Sequence, residues 1–174
     1  MHLDGARIFN ALTETGDSPN ALGQYFDSIS ICLSKGLGAP VGSVLVSSKE
    51  FIRKARRVRR VMGGGMRQAG VIASAGLYAL DHHIDRLKDD HWRAKAVGQA
   101  IIKLGYVEEL FPVDTNIILF RLSEQKKSED FLRELAAEKI KAVPFGKQTI
   151  RMVTHLDFTD DMLAHVEATL KKMA

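Results

Sequence analysis

The sequence predicts an α/β fold in two unequal parts: a portion of a larger sheet-and-helix domain, then a small C-terminal α/β domain. Three observations predict it. Short apolar runs rich in β-branched residues fall at 29–33, 41–46 and 117–122, bounded by Asp, Ser, Pro or Asn. Between them, apolar residues recur three and four apart, the spacing of a helix face. After Gly105 the rhythm changes to a compact β-α-β-β-α series.

Each element has its own warrant. Residues 1–7 read as the end of a strand running into a helix over 6–12, an abrupt opening that suggests a start inside a larger domain. Gly16, Asp17, Ser18, Pro19 and Asn20 make a turn-rich loop. A buried strand at 29–33 leads into a tight turn with two glycines and a proline, and then into a second apolar strand at 41–46. Phe51, Ala55, Val58 and Met62 line one face of a helix whose other faces carry Arg53, Lys54, Arg56, Arg57 and Arg60. Gly63, Gly64 and Gly65 end it. The Ala- and Gly-rich stretch 68–80 predicts a tightly packed, buried helix. Ile84, Leu87, His91, Ala94, Val97, Ile101 and Leu104 predict one long amphipathic helix stopped by Gly105. In the tail, strands are expected at 117–122, 142–143 and 150–154, and helices at 128–139 and 159–172. Asp160 and Asp161 open the last helix and Lys171 and Lys172 close it, in the sense its dipole favours.

Composition narrows the function. The 174 residues are 45% hydrophobic, enough for a core, so a wholly disordered chain is excluded. One cysteine, Cys32, rules out an internal disulfide framework and reads as an inert thiol inside its strand. No basic-then-apolar leader opens the chain and no apolar run reaches the roughly 20 residues a bilayer needs, so a cytoplasmic protein without membrane contact is expected. Net charge is +4, and the stretch 49–67 alone sums to +7. Its only aromatic, Phe51, lies on the apolar face, so the basic stretch reads as a solvated helix face or subunit contact and not as a nucleic-acid site. His82 and His83 have no partner at ligand spacing, and no metal site is expected.

Two residues carry chemistry. Lys35 follows an apolar strand and is flanked by Ser34 and Gly36; a lysine at a dry strand end loses its proton readily and forms imines. Asp4 ends another predicted strand, and open α/β sheets bind ligands beyond their carboxyl strand ends. An amine and a carboxylate so placed suit pyridoxal 5'-phosphate, the amine holding the aldehyde and the carboxylate pairing with the pyridine nitrogen. Taken singly, Lys35 also fits a solvated surface lysine and Asp4 a plain turn.

Four blocks carry a resemblance: His2-Leu3-Asp4-Gly5-Ala6-Arg7, Ser34-Lys35-Gly36-Leu37-Gly38-Ala39-Pro40-Val41-Gly42-Ser43, Gly63-Gly64-Gly65-Met66-Arg67-Gln68-Ala69-Gly70, and Arg151-Met152-Val153-Thr154-His155. In that order the chain resembles the low-specificity L-threonine aldolases, fold type I pyridoxal-phosphate enzymes near the β-eliminating lyases. The resemblance spans the whole chain but corresponds to only the second half or so of a family member. It implies an aspartate-aminotransferase-like fold: the C-terminal part of the large cofactor domain at 1–80, a connecting long helix at 81–105 and the small domain at 106–174. It implies Lys35 as the Schiff-base lysine, Asp4 at the pyridine nitrogen, and Arg7 near the cofactor and the substrate carboxylate. It further implies Arg151 as the grip on that carboxylate and Arg67 near the cofactor phosphate, across a subunit interface. The implied reaction is retro-aldol cleavage of L-threonine or L-allo-threonine to glycine and acetaldehyde. The family's phosphate-binding loop and active-site histidines belong to the other half. The resemblance therefore leaves open a β-eliminating lyase, and an inactive truncated or split fragment. It implies a small amino-acid substrate, a homodimer or homotetramer, and a separate N-terminal half as a further partner.

Overall fold

The computed structural model describes residues 1–174. They divide into two compact units, Met1–Leu87 and Lys88–Ala174. In the first, β1 (His2–Gly5) leads through α1 (Ile8–Thr15) and α2 (Pro19–Gly23) to β2 (Ser28–Cys32). Then come β3 (Ser43–Ser47), α3 (Lys49–Val61) and α4 (Gly70–His82). The sheet order is β1-β2-β3, with β1 and β2 parallel and β3 antiparallel to β2. Parallel pairing requires a crossover, supplied here by α1 and α2. Helix α1 starts at Ile8 and not at Ala6, because the Asp4 carboxylate accepts the Ala6 N–H at 3.1 Å and turns the chain first. Helix α2 occupies part of the expected loop; Pro19 in its first turn loses no helical hydrogen bond there. Ser48 caps α3, its hydroxyl accepting the Phe51 N–H at 3.3 Å.

Burial in this unit departs from expectation. Only Gly76 and Ala79 of α4 are buried, while Val71 is 80% exposed and Leu77 63%. Strand β3 likewise leaves Val44, Leu45 and Val46 exposed. The apolar composition of these elements was a sound guide to helix and strand but not to what covers them. The core proper is small: Leu33, Leu37, Ala39, Ala79 and Leu87, with Phe9, Ile31, Leu80 and Ile84 against it.

The second unit opens with α5, which begins one residue before the division (Leu87–Ile101). It continues through β4 (Val107–Leu110), β5 (Ile117–Leu122), α6 (Ser128–Ala137), β6 (Val143–Gly146), β7 (Thr149–Val153) and α7 (Asp160–Lys172). Its sheet runs β4-β5-β7-β6, antiparallel throughout. Ile118, Phe120 and Leu122 alternate into the core from β5, and Ile150 and Met152 from β7, as the two-residue pleat demands. Register pairs Ile118 with Met152 and Phe120 with Ile150. Phe120 meets Phe131 of α6 edge to face at 5.7 Å. Thr159 caps α7 through the Met162 N–H at 3.3 Å.

The expected long helix is shorter than the apolar stripe and begins at Leu87. His83 leaves the helical path and residues 83–86 form a turn between α4 and α5. The apolar stripe is continuous in sequence but serves two cores: Ile84 and Leu87 belong to the first unit's cluster, Ala94, Val97, Ile101 and Leu104 to the second's. Strand β4, Val-Glu-Glu-Leu, was invisible to apolar pattern because its middle is charged.

Candidate active site

Asp4 and Lys35 stand at the carboxyl ends of neighbouring parallel strands. Asp4 pairs in register with Ser30 of β2, and adjacent strands lie about 4.8 Å apart. Lys35 comes five residues after Ser30, just beyond the end of β2. Both side chains are exposed. Arg7, half-buried, occupies the N-cap position of α1 directly after β1. Thus Asp4, Arg7 and Lys35 gather at one end of the three-stranded sheet. His2 lies two residues from Asp4 and so shares its face of β1. Its ring nitrogen lies 2.8 Å from the Ser28 hydroxyl.

The loop bearing Lys35 is closely held. The Gly38 N–H donates to the Lys35 carbonyl and the Ala39 N–H to the Leu33 carbonyl, both at 3.0 Å, and the Leu33 N–H donates to Gly42. Leu37 and Ala39 are buried on either side of Gly38. Gly36 is required by contact: a Cβ there would lie 2.5 Å from the side-chain oxygen of Asn10, itself buried on α1. Gly5 is required likewise, since a Cβ would come within 2.7 Å of the Ser30 carbonyl. The glycines beside Asp4 and Lys35 therefore let β1, β2 and α1 approach closely.

Cys32 is only partly buried. Burial, the largest single influence, pushes its thiol up. Hydrogen bonds with Ser34 and Ser43, together with the Lys35 charge, outweigh it and leave the thiol below its ordinary range. Sγ lies 3.4 Å from the Ser34 hydroxyl. The apolar run around it concealed this polar neighbourhood.

The other expected site residues belong to other segments of the chain. Arg67, exposed, lines a cleft of about 420 Å³ with Arg59, Arg60, Gly63, Gly65 and Met66, to which neither Asp4 nor Lys35 contributes. Arg151 belongs to the second unit, on β7 opposite Leu119 and Val143, on the sheet face away from Ile150 and Met152. That unit also has an apolar cleft of about 720 Å³ whose lining includes Ile118, Met152, Phe158 and His165, but none of the expected residues. No three His, Cys, Asp or Glu side chains gather as metal ligands, and no helix is long and apolar enough to cross a membrane.

A family model described as beta-eliminating lyase matches residues 1–125. The chain belongs to the beta-eliminating lyase family. Within it, the chain is 42% identical over 171 residues to the low specificity L-threonine aldolase of Escherichia coli K12, covering 97% of this chain and 49% of that protein. It is 38% identical over 167 residues to the low-specificity L-threonine aldolase of Candida albicans, covering 96% and 44%. The chain thus spans about half the length of these relatives. Among solved structures, the Leishmania major threonine aldolase superposes with a TM-score of 0.73 at 16% identity, over 99% of this chain and 52% of that one. The histidinol-phosphate aminotransferase of Clostridium acetobutylicum gives 0.67 at 17% identity, over 98% and 53%. At such identities these likenesses speak for the fold alone: the aspartate-aminotransferase-like α/β fold, present in part.

Proposed function

We propose that this chain forms the lysine-bearing part of a pyridoxal 5'-phosphate-dependent aldolase that cleaves L-threonine or L-allo-threonine to glycine and acetaldehyde. The observation that carries the reading is that Asp4 stands near the carboxyl end of β1 and Lys35 in the loop just after the neighbouring parallel β2, in a chain so similar to enzymes of that name. The donor set fits the cofactor: an exposed amine for its aldehyde carbon and a carboxylate on the neighbouring strand for its ring nitrogen. Bound there, the cofactor supplies an electron sink for the pair left when a substrate bond to Cα breaks. Asp4, whose carboxylate accepts the Ala6 N–H, would hold the ring nitrogen. Lys35 would hold the cofactor through its amine. Arg7 and Arg151 take the substrate carboxylate, for which the planar guanidinium offers two parallel hydrogen bonds. Arg67 takes the cofactor phosphate, alongside Arg59 and Arg60.

Residues 1–80 serve in this reading as the C-terminal part of the cofactor domain and 106–174 as the small domain. The assembly is a homodimer or homotetramer, completed by an N-terminal half that carries the remaining cofactor contacts. A cytoplasmic setting suits a lone free thiol. The test is to add pyridoxal phosphate to the folded chain and look for a visible absorption band that Lys35→Ala abolishes. A folded wild-type chain without such a band does not hold the cofactor alone. The family model favours a second reading, a β-eliminating lyase. Product analysis separates them: glycine and an aldehyde from the aldolase, pyruvate and ammonia from the eliminating enzyme. Neither product pair would mean an inactive fragment.

A further inference from the structure

His83 has no place in the reaction outlined above, yet it reaches the loop that carries Lys35. At the C-terminal end of α4 its Nδ1 lies 2.6 Å from the carbonyl oxygen of Leu37, two residues after Lys35 and 46 before His83 in the chain. A carbonyl oxygen only accepts, so Nδ1 carries the proton, and the bond forms whether the ring is neutral or charged. Leu37 is 2% exposed, so its carbonyl, without this donor, would be a costly orphan. The ring itself is held: Tyr78 meets it edge-on at 5.5 Å, and the His83 N–H donates to the Ala79 carbonyl at 2.9 Å.

We propose that His83 is a positioning residue that fixes the backbone from which Lys35 projects. The loop is clamped from two sides, Gly36 against Asn10 of α1 and Leu37 against His83 beyond α4. A lysine side chain on a free loop samples many rotamers on a moving base. Clamping the base removes one of these two sources of misplacement, and reactive groups misplaced by about 1 Å lose most of their rate. The consequence for Lys35 rests on its assignment above as the reactive amine; the clamp itself does not.

The experiment uses the full chain with His83→Phe, which keeps a ring but removes the donor, and His83→Asn, whose side-chain amide sits where Nδ1 does. Hydrogen exchange is followed at the Gly38 and Ala39 amides, with those of β5 as reference. The phenylalanine variant exchanges about tenfold faster at Gly38 and Ala39, the factor one lost hydrogen bond gives, with β5 unchanged. The asparagine variant returns to within about threefold of wild type. Should the phenylalanine variant not fold, His83→Leu takes its place. Wild-type exchange in the donor-less variant, or equal acceleration in β5, overturns the proposal. In parallel, pyridoxal phosphate is trapped on lysines by borohydride and mapped. The share on Lys35 falls several-fold in the donor-less variant and recovers with asparagine. An unlabelled Lys35 in wild type counts against the proposed function, while amide exchange still decides the role of His83.

Discussion

The two units make opposite use of similar apolar content. The second unit gathers 15 buried side chains into one cluster and leaves five large apolar residues exposed. The first unit, which carries Asp4 and Lys35, buries five in its main cluster and exposes 14, from Met1 and Tyr25 to Leu77 and Tyr78. Exposed apolar surface on that scale is uncommon in self-contained monomers and typical of surfaces that bind other polypeptide. Edge strands β1 and β3 add unpaired backbone to the same unit. The lesson is that the candidate site residues sit on the unit with the smaller core. Their geometry rests on local clamps, Gly36 on Asn10 and His83 on Leu37, more than on a deep core.

Core truncation should separate the units most sharply. Phe131→Ala removes a ring wholly buried between Phe120 and Tyr106, and should destabilise the second unit by about 3–5 kcal/mol in denaturant unfolding. Val61→Ala, on a side chain 81% exposed, should stay within about 0.5 kcal/mol. Comparable losses would erase the contrast. Gly36→Ala tests the clamp: its Cβ must displace Asn10, at about 1–3 kcal/mol, and should sensitise the first unit to protease while sparing the second. The two caps offer a matched pair. Ser48→Ala and Thr159→Ala remove hydrogen bonds of the same 3.3 Å length, each worth about 1 kcal/mol, and urea midpoints resolved by unit should fall in each unit separately. Loss of the Lys126–Glu134 pair, at 2.5 Å but near the surface, should register at about 0–1 kcal/mol in a double-mutant cycle.

The smallest effect concerns pH. Because the Cys32 thiol sits below its ordinary range in the folded chain, the unfolded chain binds its proton more tightly. Stability from this group is therefore absent below the folded value, grows as pH rises through it and is complete above the unfolded value. Alkylation of Cys32 should be faster below pH 9 in wild type than in Ser34→Ala, with rates followed by mass spectrometry; equal rates would remove the hydrogen bond from the account.

Much of the site was legible because its chemistry is local. The Asp4-Gly5 and Lys35-Gly36 pairs announce strand ends where a side chain meets solvent and a glycine admits a close neighbour. What escaped was long-range. Asn10 and His83 touch the Lys35 loop from 26 and 46 residues away along the chain, and no spacing rule connects them to it. Cys32 looked inert because its strand is apolar; Ser34 and Lys35 are its near neighbours in sequence, and only Ser43 is brought beside it by the pairing of β2 with β3.

The sequence alone determined most of the helices and strands and the charges that suit the ends of α7, because helix period and turn residues act within a few residues of one another. Tertiary structure decided which apolar faces are covered. It also decided where the stripe from Ile84 to Leu104 breaks to serve two cores, and which strand lies beside β1 to bring Lys35 and Asp4 to one sheet end. Those outcomes depend on distant segments meeting, and burial and strand pairing exist only once they have met.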